Sequence, residues 1–183
     1  LLKHNRYDVL GRFFAYQVHM YNYHSTLQAT HTFESPWYQW PFDVRNVWYY
    51  GNYNADGSGG LRTISVLGSP LFWWAGVPSM VYAFVCAVKK RAQPAIIASV
   101  GFLAVYLPWV LVPRCTFVYH YFTAVPFLLI ALLAAWSRLA ETPRLRKPLF
   151  TRTVRGHAAV LTGGQAAMLG FLAVHLILFA VFY

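Results

Sequence analysis

The fold class that the sequence predicts is an all-α integral membrane protein with about four transmembrane helices, and three observations predict it. Of 183 residues, 58% are hydrophobic and only 11% charged, too little charge to coat a soluble domain of this size. Four stretches of near-spanning length carry almost no ionisable residue. The 15 Lys and Arg, against 5 Asp and Glu, gather mostly between those stretches. This composition excludes disorder. An isoelectric point near 9.9 raises nucleic acid as a partner, but the positive charges share no polar face, and no nucleic-acid binding is expected. Cys86 and Cys115 form neither a CxxC pair nor a Cys/His cluster at zinc spacing, so neither a disulfide scaffold nor a metal site is expected. The chain opens on Leu1-Leu2-Lys3 with no signal peptide, which reads as an internal piece of a longer protein.

Residues 1–67 form a first region. From about Tyr7 to Leu27, Leu10, Phe14, Val18 and Tyr21 recur at helical spacing among Arg12, Gln17, His19 and His24, which predicts an amphipathic helix on the outer membrane surface. Asp8 and Arg12, four apart, are placed to pair on its wet side. HTFESPWYQWPF follows as a Trp/Pro-rich loop, and GNYNADGSGG reads as a flexible external turn.

Residues 68–183 form the membrane region, with spans at about 68–88, 94–112, 116–136 and 163–183. The first runs 21 residues without a charge, and at 1.5 Å per residue that is about 31 Å, the thickness of a hydrocarbon core. Pro78, Pro108 and Pro126 fall inside these stretches, where kinks are expected and a bundle tolerates them. Lys89, Lys90 and Arg91 follow the first span; Arg138, Arg144, Arg146, Lys147, Arg152 and Arg155 follow the third. With Glu141 these two loops hold nine bases and one acid, whereas residues 1–67 and the loop after Val112 hold six bases and four acids. The positive-inside rule then puts the basic loops in the cytoplasm and the amino-terminal region, with Arg114 and His120, outside.

Acids are scarce, and none of Asp8, Glu34, Asp43, Asp56 and Glu141 forms an adjacent pair or DxD. Glu34 is the candidate site carboxylate, since aromatic walls beside one acid suit a sugar; a capping or surface role is the other reading. His24 and His31, about two helical turns apart, suit hydrogen bonding in a polar pocket above the membrane, and no metal is expected because no zinc-site spacing is present. Trp37 and Trp40, held in the Pro-bounded loop, read as pocket walls, while Trp73 and Trp74 read as interfacial anchors. Arg114, with His120 and Tyr121 nearby, suits a lipid-linked phosphate, because guanidinium pairs with phosphate through two parallel hydrogen bonds; an interfacial anchor is the alternative. His175 in the fourth span is expected to bond to a neighbouring helix.

Four successive blocks, YHSTLQATHTFESPWYQWPF (Tyr23 to Phe42), VWYY, LGSPLFWW (Leu67 to Trp74) and LPWVLVPRCTFVYHYFTAVPF (Leu107 to Phe127), resemble the carboxy-terminal transmembrane part of the protein O-mannosyltransferases. In that family a surface helix runs into an H-S-L-x-A-x-H-x-Y-x-S-x-W-x-x-W-P stretch, and a Y-H-Y segment later enters a membrane helix. The resemblance covers residues 5–136 and departs from the pattern at Tyr38 and Asn46. It implies part of a GT-C type architecture and an integral membrane enzyme. Such an enzyme moves mannose, with inversion, from polyprenyl or dolichyl phosphate to Ser or Thr of exported proteins, in a bacterial cell membrane or the endoplasmic reticulum of a eukaryote. The implied partners are membrane lipid, the lipid-linked donor and the acceptor protein, with no cofactor. The family's catalytic Asp-Glu pair belongs to a first outer loop that nothing here matches, so the catalytic residues are expected upstream and the chain is expected to be inactive alone. Substrate contacts are expected from Arg114, His120, Tyr121, Glu34, His24, His31, Trp37 and Trp40. Two other functions fit the pattern: a different lipid-phosphate-sugar transferase, and a non-enzymatic transport subunit, which would have only His175 as an ionisable group within its spans.

Overall fold

A computed structural model describes residues 8–52, 62–154 and 157–182. The amino-terminal helix α1 runs Val9–Thr26. The Asp8 carboxylate caps it, accepting from the Gly11 backbone N–H at 3.0 Å, one of the donors a helix start leaves without a partner. At its other end the Ser25 and Thr26 hydroxyls donate back to the Asn22 carbonyl, and Leu27 turns extended. No residue of α1 is buried, and Leu10, Phe14, Val18 and Tyr21 are all exposed. The helix lies on the molecule without entering its core.

The Trp/Pro-rich loop winds into a 3-10 segment, Trp37–Phe42, that ends where Asp43 takes a left-handed conformation (φ 52°) and its N–H returns to the Trp40 carbonyl at 3.0 Å. Then comes a departure from an all-α chain. Val47–Asn52 (β1) and Arg62–Val66 (β2) pair as an antiparallel hairpin, and Pro148–Val154 (β3) and His157–Thr162 (β4) form a second. Both are short runs rich in β-branched and aromatic residues, far below the length of a span. The molecule remains mostly helical. Most of the expected glycine-rich turn lies outside the described residues.

Four helices are long and apolar enough to cross a membrane: Pro70–Lys90, Gln93–Leu111, Val118–Ala140 and Gly163–Phe182. The first is α2, opening with Pro70 in its first turn and closing on Lys89, Lys90 and the left-handed Arg91. It stays one α-helix through Pro78, beside which the Ser79 hydroxyl donates to the Ala75 carbonyl at 2.8 Å. The second is α3 (Gln93–Tyr106), tightening into a 3-10 segment, Leu107–Leu111, around Pro108. The third begins as 3-10, Val118–Ala124, and becomes α4 (Val125–Ala140) with Pro126 in the first turn. At Pro108 and Pro126 the chain thus changes helix type where kinks were expected.

Helices α2, α3 and α4 pack mutually. Small residues let them approach: Gly76 faces Leu128, Gly101 lies against the Phe127 ring, and Ala83, Ala98 and Ala131 are fully buried. Toward the Arg114 end the seam widens to hold aromatic rings, Trp73 edge-on to Tyr121 at 4.9 Å and Tyr121 beside Tyr106 at 5.4 Å. The last helix, α5 (Gly163–Phe182), buries only Gly163 and Gly164, the latter against Ala140. His175 of α5 meets the hydroxyl of Ser69, the cap residue just before α2, at 2.9 Å, a tie to a neighbouring helix end where a bond to a neighbouring helix is expected. The chain order places the β1–β2 hairpin and the 112–117 loop at one end of the bundle, and Arg91 with the β3–β4 hairpin at the other.

Candidate functional site at the Arg114 end

Two backbone segments make this site. The Ser35 N–H donates to the Thr116 carbonyl and the Thr116 hydroxyl to the Ser35 carbonyl, both at 2.8 Å, so the aromatic loop is stapled to the loop between α3 and α4. Both residues are buried, where such bonds stand in for lost water. Tyr106 adds a third tie, its hydroxyl donating to the Trp37 carbonyl at 2.8 Å.

Between the stapled segments opens a cavity of about 500 Å³ whose wall includes Thr30, Glu34, Trp37, Trp109 and Arg114. Glu34 is oriented locally: its N–H donates to the His31 carbonyl at 2.9 Å, and its Oε2 accepts from the His31 N–H at 3.3 Å. A neighbouring cavity of about 380 Å³ lies between α1 and residues 111–114, with Gln17, Met20, Tyr21, His24, Leu111 and again Arg114 in its wall. Arg114 thus lines both. It is half-buried, and the one ion pair found among the described residues is elsewhere, Arg138 to Glu141 at 3.5 Å.

Of the eight residues expected to contact substrate, four line these cavities: Glu34, Trp37, Arg114 and His24. The others lie beneath or beside them. His31 lines neither; its Nδ1 accepts from the Phe33 N–H at 3.2 Å and its ring packs edge-on to Phe117, so it shapes the turn that presents Glu34. Trp40 is wholly buried, its indole N–H donating to the Ser35 carbonyl and hydroxyl at 3.0 Å, and it reaches no cavity wall. His120 stacks on Trp40 and contacts Trp109, with ring centroids 5.7 and 4.0 Å away, and its Nδ1 is taken up by the Phe117 backbone. Tyr121 is 1% exposed within the bundle. Burial drew these rings inward, where a Trp or His near an interface gives no sign of direction in sequence. Trp109, Thr30 and Thr116 also line the larger cavity without a mark in the sequence: Trp109 falls within an expected span, and neither threonine carries a spacing signal.

Elsewhere among the described residues no three His, Cys, Asp or Glu gather as metal ligands. Cys86 and Cys115 are unlinked. A larger groove, about 630 Å³, runs between α2, α4 and α5, but Ser69 and His175 are its polar side chains and no charged residue faces it.

The family model describing the C-terminal four-span region of protein O-mannosyltransferase matches residues 9–183. The chain belongs to this family. Over 170 residues it is 28% identical to a polyprenol-phosphate-mannose–protein mannosyltransferase of Corynebacterium glutamicum, covering 86% of the chain and 31% of that relative. Proteins of the same name from Mycolicibacterium smegmatis and Mycobacterium tuberculosis are 28% and 25% identical over 134 residues, which is 68% of the chain and 26% of each relative. The chain therefore spans about a third or less of the curated relatives it matches. Among solved structures, the Saccharomyces cerevisiae Pmt1–Pmt2 O-mannosyltransferase complex bound to its sugar donor superposes with a TM-score of 0.67 at 22% identity, over 99% of this chain and 24% of that one. That likeness gives the fold, and extends it past Ser137, where the sequence blocks stop.

Proposed function

We propose that this chain forms the donor-facing membrane part of an enzyme that moves mannose from polyprenyl phosphate to Ser or Thr hydroxyls of exported proteins. The observation that carries the reading is the meeting of Glu34, Trp37 and Arg114 on one cavity wall at the less basic end of the bundle. An aromatic face with one carboxylate suits a sugar, and a half-buried cation suits the phosphate to which that sugar is attached. As the sugar leaves with inversion, negative charge grows on the phosphate oxygens, and the Arg114 guanidinium opposes it where little water screens the interaction. The hydroxyl's proton needs a base, and by family resemblance an acidic pair elsewhere in the polypeptide supplies it. The named activity of the mycobacterial and corynebacterial relatives supports the donor class and a bacterial cell membrane as its location. With the basic loops cytoplasmic, the cavity opens outward, where exported acceptors pass.

The test is turnover of the complete enzyme in membranes with saturating lipid-linked mannose. Arg114→Ala should lose at least about tenfold, the value of a charge-assisted contact, and Arg114→Lys should recover only part of it. Turnover within about twofold of the unmodified enzyme for Arg114→Ala, at equal expression and detergent stability, would remove the phosphate assignment.

A further inference from the structure

At the basic end of the bundle the seam between α2, α3 and α4 opens into a groove of about 390 Å³, separate from the cavities at Arg114. Its wall runs from Tyr82 to Lys90 on α2 and from Ile130 to Arg138 on α4; at 1.5 Å per residue it follows each helix for about 12 Å. The chemistry changes along that length. At the mouth stand Lys90, in the last turn of α2, and Arg138, in the last turn of α4, together with the Ser137 hydroxyl. Deeper in, Ile130, Leu133 and Ala134 make the α4 wall apolar, and buried Cys86 and Ala95 close the floor. No Asp or Glu is among the described residues that line it. Lys90 has no ion-pair partner among the described residues, and Arg138 meets only Glu141, at 3.5 Å with both side chains largely exposed. An exposed pair of that kind is weak, and the guanidinium keeps donors for a second anion. The start of α3, Ala92 through Ala95, faces the same mouth, and no side chain caps it, so the helix adds its positive end to the two cations.

We infer that this groove is a site for one anionic phospholipid, its phosphate held by Lys90 and Arg138 and the upper part of an acyl chain lying along Ile130 and Leu133. Leu133 is 51% exposed, so the groove is open sideways to hydrocarbon, and the apolar wall gives a lipid contacts that free phosphate cannot make. Lys90 repels the ammonium of a zwitterionic headgroup, which selects a lipid of net negative charge, of the phosphatidylglycerol type. The site lies at the opposite end of the bundle from Arg114 and needs nothing of the sugar-transfer reading.

The experiment places the complete protein in phosphatidylcholine nanodiscs with phosphatidylglycerol that carries a diazirine in its acyl chain. Mass spectrometry then reads photo-adducts on the α2, α3 and α4 peptides that line the groove. Expected is saturable labelling, competed by unlabelled phosphatidylglycerol but not by added phosphatidylcholine or by glycerol phosphate. Lys90→Gln and Arg138→Gln should each raise the half-saturating lipid concentration about fivefold. Lys89→Gln, the same charge change at a residue that does not line the groove, should stay within about twofold. Ala134→Leu, which leaves both cations in place and fills the apolar wall, should also weaken labelling. Labelling that does not saturate, or that phosphatidylcholine competes equally well, would overturn the site and leave the groove to another part of the polypeptide. Competition by glycerol phosphate would overturn the lipid as its occupant. Equal losses for Lys89→Gln and Lys90→Gln would reduce the effect to diffuse surface charge, and Lys90→Gln and Arg138→Gln both within about twofold of the unmodified protein would remove the two cations from any such site.

Discussion

Asp43 shows how a single residue can be held against its own chemistry. Both its carboxylate oxygens are shut off from solvent, and burial pushes its pKa up to about 6, with the Gly68 backbone N–H pulling the other way. A carboxyl whose pKa is raised by folding prefers to be protonated in the folded state. Its contribution is therefore complete below about pH 4 and is lost as pH rises through 6. Asn keeps the shape, needs no charge and tolerates the left-handed backbone at φ 52°. Asp43→Asn should therefore stabilise the protein at pH 8 by about 1 kcal/mol, the linkage value reduced because the group is only about half-buried and solvent screens it. That is about 2–4 °C in melting temperature. The gain should vanish at pH 4, and melting curves in detergent at the two values decide it. An equal gain at both would show that the carboxyl's charge is not the cause.

At the scale of elements, close approach sets the arrangement of the spans. A Cβ added at Gly101 of α3 would overlap the Phe127 ring of α4, and one added at Gly164 of α5 would press on Ala140. Gly101→Ala should cost about 1–3 kcal/mol as the ring or the helix shifts, and Phe127→Leu in the same chain should restore part of it. Thermal unfolding of the single and double variants in detergent checks this; additive losses would mean that the two residues do not meet. The hairpins belong to the same scale. Pro148–Val154 and His157–Thr162 pair their backbones with each other, so these described strands of the basic connection between α4 and α5 need no backbone partner from the bundle.

For the molecule as a whole, the pattern of charge and the packing of the helices agree on two ends. Lys89, Lys90, Arg91 and the β3–β4 hairpin share one; β1–β2 and the 112–117 loop share the other. In a background with Cys86 and Cys115 replaced by Ser, a cysteine at Thr63 in β2 should be labelled from outside intact cells, and one at Thr151 in β3 only after permeabilisation. Reversed labelling would invert the molecule and every outward assignment at Arg114. In the unmodified protein, oxidation should leave Cys86 and Cys115 unlinked, since Cys86 sits near the basic end of α2 and Cys115 in the opposite loop, far beyond the roughly 7 Å a disulfide reaches.

The sequence by itself determined four spans, because a helix must keep about 20 apolar residues together to cross hydrocarbon and that demand is local. It determined which loops lie on the same side for the same reason, and it drew out Glu34, His24, His31, Trp37, Trp40, Arg114, His120 and Tyr121 alike, since lone acids, cations, histidines and the aromatic residues beside them are conspicuous in so apolar a chain. Tertiary structure decided which aromatic residues face a cavity. Trp37 and Trp40 stand three apart in one short loop, yet one lines the pocket and the other lies buried beneath it, held through Ser35 to a loop some eighty residues away. It decided too that Arg114 stands between two cavities, that Tyr121 packs inside the bundle and that half-buried His120 stacks on Trp40. The direction of a ring depends on what packs against it, and those neighbours are brought together by folding.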